Sequence, residues 1–267
     1  MDLIIRDITS IGEMHKAVEL QREVWGFDDI DAVGTGEMCA VLESGGSLIG
    51  AFDGDDLVGL TYGWIGLEHG HVIFHSHLAA VKPGLQGQNV GYRLKMAQRE
   101  RILAKGVDTI TWTVDPLQSR NANLNFNKLG VYADKYFVNF YGDETSSKLH
   151  SFGTDRFLVV WPLNQSPRAA ASAPIGHAPA LVSMSETGAP LRHQEIEIAG
   201  DLVIEIPENI NEILHRDKSA ALEWREATRC AFVRARDAGY RTAGFARRER
   251  GALRFGAYLL IGNADKP

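Results

Sequence analysis

The chain has 267 residues, 45% apolar and 23% charged, which is enough to bury a sizeable core and unlike the composition of a disordered segment. Its formal net charge of −6 gives no overall pull toward nucleic acid or an anionic membrane, and its two distant cysteines, Cys39 and Cys230, exclude a disulfide framework. No apolar run approaches a membrane span and none follows a basic N-terminal segment, so a cytoplasmic globular protein without nucleic-acid or membrane partners is the expectation.

Leu3 to Ile8 is a short β-prone run. Ser10-Ile11-Gly12-Glu13 then has the spacing of a capping box. Ala17, Leu20 and Val24 recur at +3 and +4, which predicts a helix to about Trp25 with Gly26 as its stop. Asp28 to Gly36 reads as a loop. Ser47 to Phe52 and Leu57 to Leu67 are β-runs joined by the hairpin chemistry of Asp53-Gly54-Asp55-Asp56. His71 to Val81 is a third, ended by Lys82-Pro83-Gly84. Val90, Leu94 and Ala97 predict a helix that Gly106 caps. Val107 to Val114 is a strand stopped by Asp115-Pro116, and a short helix follows from about Asn121 to Leu129, closed by Gly130. Tyr132 to Tyr141 and Arg156 to Trp161 are the next strands. The order β-α-β-β-β-α-β-α-β-β predicts an α+β fold, a mixed sheet with helices packed against it.

Residues 164 to 194 are rich in Ala, Pro and Ser without a clean period and read as a linker. Structure resumes in a smaller α/β extension over 195 to 267. It has a strand at Leu202 to Ile206, a helix from about Ala220 to Ala238, and strands at Tyr240 to Arg247 and Leu253 to Ile261. This tail echoes the strand–Pro–helix–Gly–strand unit of Leu78 to Val114, as a degenerate half-repeat would; it lacks the glycine loop, so its role would be structural. Arg216 to Arg254 holds 11 Lys and Arg against 5 Asp and Glu, which suggests a basic C-terminal piece docked on an acidic N-terminal body, with a polyanion site as the alternative.

Chemistry concentrates at the turn between the third β-run and its helix. Gln86-Gly87-Gln88-Asn89-Val90-Gly91 follows Val81-Lys82-Pro83. A turn of small residues running into a helix start exposes several N–H groups at the positive end of the helix dipole, which suits a pyrophosphate. The Gly-Lys-Ser/Thr ending of a Walker loop is absent. His75 and His77, two apart on one strand, share a face. They lack a third ligand at suitable spacing, so no metal is expected.

Here the chain resembles the GNAT N-acetyltransferase superfamily, whose loop reads Arg/Gln-x-x-Gly-x-Gly/Ala after a strand ending in Val-x-Pro. Asn89 stands where glycine is usual, and Asn tolerates positive φ. The second signature, Asn-x-x-Ala followed by Tyr-x-x-Leu-Gly, is met by Ala122, Leu129 and Gly130, with Ser119 at the Asn position, Asn121 close by, and Phe126 in place of Tyr. Further phrases, Val24-Trp25-Gly26, His75-Ser76-His77, Ser119-Arg120-Asn121-Ala122 and Leu222-Glu223-Trp224-Arg225, look like a bacterial branch of that superfamily with a C-terminal extension.

The resemblance implies a GNAT-like central mixed, mostly antiparallel sheet over residues 1–163 and an acyltransferase that moves an acetyl or succinyl group from acyl-CoA, such as acetyl-CoA, to the amine of a small molecule such as an amino acid. It implies that the backbone of Leu78, Ala79, Ala80 and Val81 meets the thioester, that Gln86, Gly87, Gln88, Asn89, Val90 and Gly91 hold the pyrophosphate, and that Asn121 bonds the pantetheine. For the base or ammonium ligand the candidates are His77, then Glu37 and Asp115. Phe126 removes the usual proton donor to the leaving thiolate; Tyr132, water, or departure as thiolate are the alternatives. A non-catalytic acyl-CoA-binding module is the second reading. Many relatives dimerise, so a homodimer is a further expectation.

Overall fold

The computed structural model describes residues 3–142, 147, 151–165 and 178–262. The described residues of Met1–Trp112, Glu144–Ser151 and Pro162–Asn164 form one compact unit, and those of Thr113–Asp143, Phe152–Trp161 and Gln165–Pro267 form a second. The fold is mixed α/β, and its strand pairings are mostly antiparallel.

In the first unit the strands run in the order β1 (Ile4–Asp7), β2 (Ser47–Asp53), β3 (Asp56–Glu68), β4 (His71–Val81) and the start of β5 (Thr109–Val114). Neighbours are antiparallel except β4 and β5. Helix α1 (Ile11–Trp25) begins at Ser10, whose hydroxyl accepts from the Glu13 N–H, and stops at Gly26 in the left-handed conformation, φ 68°. Gln21 is buried on this helix. Its Oε1 accepts from the Val33 N–H at 2.8 Å and its Nε2 donates to the Val33 carbonyl at 3.1 Å, which pins the loop to the helix. α2 (Thr35–Glu43) stands where loop and no further element were expected. It is short, its N-cap Gly34 offers no side chain, and it buries only Met38 fully, so its periodicity is weak.

α1 and α2 cover one face of this sheet, where Met14, Leu20 and Met38 pack with Leu60, Tyr62, Leu78 and Ala80. The other face takes α3 (Val90–Ala104), through Val90 and Leu94 against Ile49, Ala51 and Val58. A Cβ built at Gly59 would lie 3.1 Å from Leu94, so the absence of a side chain there lets α3 approach β3.

In the second unit the strand order is β7 (Arg156–Pro162), β6 (Tyr132–Phe137), β11 (Tyr240–Arg250), β12 (Leu253–Gly262), β10 (Leu202–Pro207), β8 (Ala180–Met184) and β9 (Pro190–Arg192). A short α4 (Ser119–Ala122) runs into a π-helical stretch, Asn123–Leu129, that ends at left-handed Gly130. α5 (Ile210–Arg216) and α6 (Lys218–Asp237) follow β10, and Asp217 caps α6 by accepting from the Ser219 and Ala220 N–H groups. β8 and β9 lie inside the stretch read as a linker, whose residues 166–177 fall outside the described ones.

The echo between the tail and Leu78–Val114 extends to element order only. β4 and β5 are parallel neighbours, whereas β12 stands between β10 and β11. The compact units have limits other than 163 and 195, and within the second unit ion pairs tie α6 to residues 113–161. Arg225 meets Asp115 with both guanidinium nitrogens at 2.9 Å, and Arg229 meets Asp155 at 2.8 and 2.9 Å. Among the described residues no helix is long and apolar enough to cross a membrane.

Candidate active site

The pairing of β3 with β4 has one irregularity. Tyr62 faces Leu78 and Gly63 faces Ser76, which leaves His77 as an extra residue on β4. This bulge interrupts the alternation of side chains. His77 and Leu78, adjacent in sequence, both turn to the α1/α2 face, while Ser76 turns to the α3 face. Gly63 makes room for it: a Cβ there would run into the His75 carbonyl and lie 2.9 Å from Ser76 Cα.

The bulge gathers five side chains on the α1/α2 face. The Trp64 ring lies 4.9 Å from that of His77 and 5.6 Å from that of His75, and Tyr62 meets His77 edge-on at 6.5 Å. The Tyr62 hydroxyl donates to Glu37 Oε1 at 3.3 Å. Thus His77 and Glu37, both expected from the sequence, are drawn to one place, and Tyr62 joins them without any local sequence signal.

The two histidines differ. Burial pushes His75 down to about 4, helped by the neighbouring His77 and Lys95 charges, and its Nδ1 shares a 3.1 Å hydrogen bond with Thr111 Oγ1. Burial also lowers His77, with the Glu37 carboxylate acting in the opposite direction. The His77 ring nitrogens make no hydrogen bond to another described residue. His77 is therefore neutral near pH 7 and has nitrogen lone-pair capacity to offer.

On the far edge of β4 the ladder is short. β4 and β5 pair at Phe74–Ile110 and His75–Thr111, and the pairing stops where the bulge begins. Leu78, Ala79, Ala80 and Val81 follow, and then a 3₁₀ turn at Pro83–Leu85. Gln86 to Asn89 are exposed. Gly87 takes φ 87° and Asn89 takes φ 66°, so Asn fills the left-handed position where glycine is usual. Val90, Gly91 and Tyr92 precede the first helical hydrogen bond, from the Arg93 N–H to the Asn89 carbonyl. Their N–H groups therefore lie at the positive end of α3. Gln86 and Gln88 brace the turn by donating to the Val81 and Gly84 carbonyls, each at 3.2 Å.

Beneath β4, on the α3 face, lies a buried polar network. Lys95 Nζ donates to Ser76 Oγ at 2.7 Å and to Gln98 Oε1 at 3.1 Å, and it sits 4.0 Å from the centre of the Trp112 ring. Gln98 Nε2 donates to Thr61 Oγ1 at 2.8 Å. Burial lowers the Lys95 pKa to about 7. Trp112 is thus on the side opposite Trp64, whereas Trp25 and Trp64 both pack on the core of the α1/α2 face.

Asp115 and Asn121 belong to the second unit. Both Asp115 oxygens meet Arg225, and Oδ1 also accepts from the Leu117 N–H at 2.9 Å. Burial raises the Asp115 pKa, but the Arg225 guanidinium outweighs it and holds the carboxyl below its ordinary range. An anion so engaged is a poor general base. Asn121 is exposed on α4, while the Ser119 hydroxyl is buried without a hydrogen-bond partner among the described residues. The Phe126 ring is buried edge-on to Tyr258 at 5.5 Å, and the Tyr132 ring lies under the Arg241 guanidinium. Among the described residues no group of three or more His, Cys, Asp or Glu is placed to hold a metal.

No family model matches the chain, and no curated protein matches it. Among solved structures it is similar to the ribosomal-protein-S18-alanine N-acetyltransferase from Escherichia coli, at 13% identity and a TM-score of 0.49, over 62% of this chain and 97% of that one. It is similar to an N-acetyltransferase from Staphylococcus aureus Mu50, at 12% identity and a TM-score of 0.48, over 61% and 100%. It is also similar to an aminoglycoside 6'-N-acetyltransferase complexed with coenzyme A, at 16% identity and a TM-score of 0.47, over 61% and 99%.

Proposed function

We propose that the chain is an acyl-CoA-dependent N-acyltransferase of the GNAT type, moving an acetyl or succinyl group to the amine of a small molecule such as an amino acid. The observation that carries the reading is the bulge at His77. It lies where the β4–β5 ladder stops, it turns a neutral histidine toward Glu37, and the strand beyond it runs on to the Gly87–Asn89 turn at the start of α3. Backbone N–H groups freed from a ladder suit a thioester oxygen, and N–H groups at a helix start suit a pyrophosphate.

In this reading His77 takes a proton from the acceptor ammonium, and the Glu37 carboxylate, oriented by Tyr62, holds the substrate's positive charge. The freed amine attacks the thioester carbon, the C–N bond forms, and the C–S bond breaks. The β4 backbone beyond the bulge meets the oxyanion that develops. Coenzyme A departs as a thiolate, and the second proton shed by the nitrogen as the amide forms passes through water to that thiolate, because Phe126 has none to give; His77 returns the first proton to solvent.

A thiol-release screen of acetyl- and succinyl-CoA against amino acids and amines tests the proposal, with turnover expected for at least one pair. Tight acyl-CoA binding without turnover across the panel would replace it with the non-catalytic module.

A further inference from the structure

The second unit holds a cavity of about 320 Å³ bordered by β8, β9 and α6. Its floor is apolar and buried: Leu181, Ala227 and Ala231. Its polar lining includes two arginines beside His193 and Gln194. Arg192, His193 and Arg234 border it, with Cys230 at the side. Arg192 makes no ion pair with a described residue, and its recorded polar contact is Cys230 Sγ at 4.0 Å. Arg234 donates to the Ile196 carbonyl and likewise has no carboxylate within ion-pair distance among the described residues. Other arginines of the tail, Arg216, Arg225, Arg229 and Arg250, each meet a carboxylate. His193 is held in place, with Nε2 2.8 Å from Ser183 Oγ and Nδ1 3.3 Å from Glu195 Oε1.

Two guanidiniums that form no ion pair with a described residue, over a buried apolar floor, make a defined chemical environment; the Glu195 carboxylate, bonded to His193, is near enough to Arg234 to feel its charge. Guanidinium forks match the oxygens of a carboxylate or phosphate, and a neighbouring apolar surface adds binding energy for the rest of the molecule. The volume falls within the range of small-molecule sites. We propose that this cavity binds a small organic anion, its carboxylate or phosphate head held by Arg192 and Arg234 and its short apolar body lying on Leu181, Ala227 and Ala231. The cavity shares no residue with the proposed acyl-transfer site, and its existence does not depend on that reading.

Calorimetric titration of the full chain with benzoate, phenyl phosphate and inorganic phosphate tests it without any activity assay. Saturable binding of benzoate or phenyl phosphate is expected, and the tighter of the two identifies the head group. Inorganic phosphate should bind about tenfold more weakly or worse, since it has no apolar body. Arg192→Gln should weaken binding by about tenfold or more while leaving the fold intact, because that side chain is exposed and supports no ion pair. In a Cys39→Ser background, the bound anion should slow alkylation of Cys230 by iodoacetamide, and Arg192→Gln should abolish that protection. The proposal is overturned if neither organic anion binds at concentrations up to about 10 mM, or if both Arg192→Gln and Arg234→Gln bind as the parent does.

Discussion

His75 and His77 are alike in sequence and exposure class, yet the hydrogen bond to Thr111 occupies one and leaves the other open. His77→Ala is expected to lower kcat by about 10²–10⁴-fold with little change in acyl-CoA binding. In the parent, activity should rise with pH through a value below the ordinary histidine pKa of ~6.5, because burial favours the neutral ring. Loss of that limb in His77→Ala, read from the pH dependence of kcat/KM, checks the assignment; an unchanged profile removes His77 as base. Lys95 offers a different test. Its folded pKa, about 7, is below its ordinary value, so the unfolded chain binds more protons between these values and stability rises with pH across that window. Below about pH 7 both states are protonated and the contribution is flat. Lys95→Met should remove this rise, as measured by denaturant midpoints from pH 7 to about 10.

At the scale of elements, Gly63 and the bulge are one device on two strands. Gly63→Ala places a methyl against the His75 carbonyl and should destabilise the fold by about 1–3 kcal/mol. It should also reduce acyl transfer, whereas His77→Ala should reduce transfer without lowering the melting temperature. The contrast explains what was legible in the sequence. β4, α3 and the turn between them announce themselves through period, proline and glycine, and α1 through its cap at Ser10 and stop at Gly26. The bulge was not legible, because it arises from the pairing of Tyr62 and Gly63 with a strand that follows them. α2, α5, β8 and β9 escaped for another reason: each is short, with no more than about two and a half periods of its pattern. Tyr62 reads as an ordinary strand aromatic until α2 brings Glu37 to its hydroxyl.

For the whole chain, the basic stretch from Arg216 to Arg254 finds part of its acidic counterpart in Asp115 and Asp155, from positions up to 110 residues earlier. No local pattern could match them. The Arg225 side chain is 2% exposed and that of Asp115 10%, so Asp115→Asn would leave a buried cation uncompensated. A loss of about 3–5 kcal/mol is expected, measurable by denaturant unfolding. Both carboxyls are held below their ordinary range in the fold. Their contribution is complete above the unfolded value of ~3.9 and disappears as pH falls through the folded values. Acid unfolding should therefore begin below about pH 4, with a shallower dependence in Asp115→Asn than in the parent.

Removal of one residue from the middle of a strand normally sends every later side chain to the wrong face. β4 is an exception at one position. Because His77 is supernumerary to the pairing, a chain without it would still place Ser76 toward α3 and Leu78 and Ala80 toward α1. Deletion of His77 should thus give a folded protein with an uninterrupted β3–β4 ladder and no acyl transfer, whereas deletion of Phe74 should not fold. Circular dichroism melts of the two deletions would separate these outcomes. The residue the fold can most easily spare in β4 is the one assigned the chemistry, which marks the bulge as an addition to the scaffold.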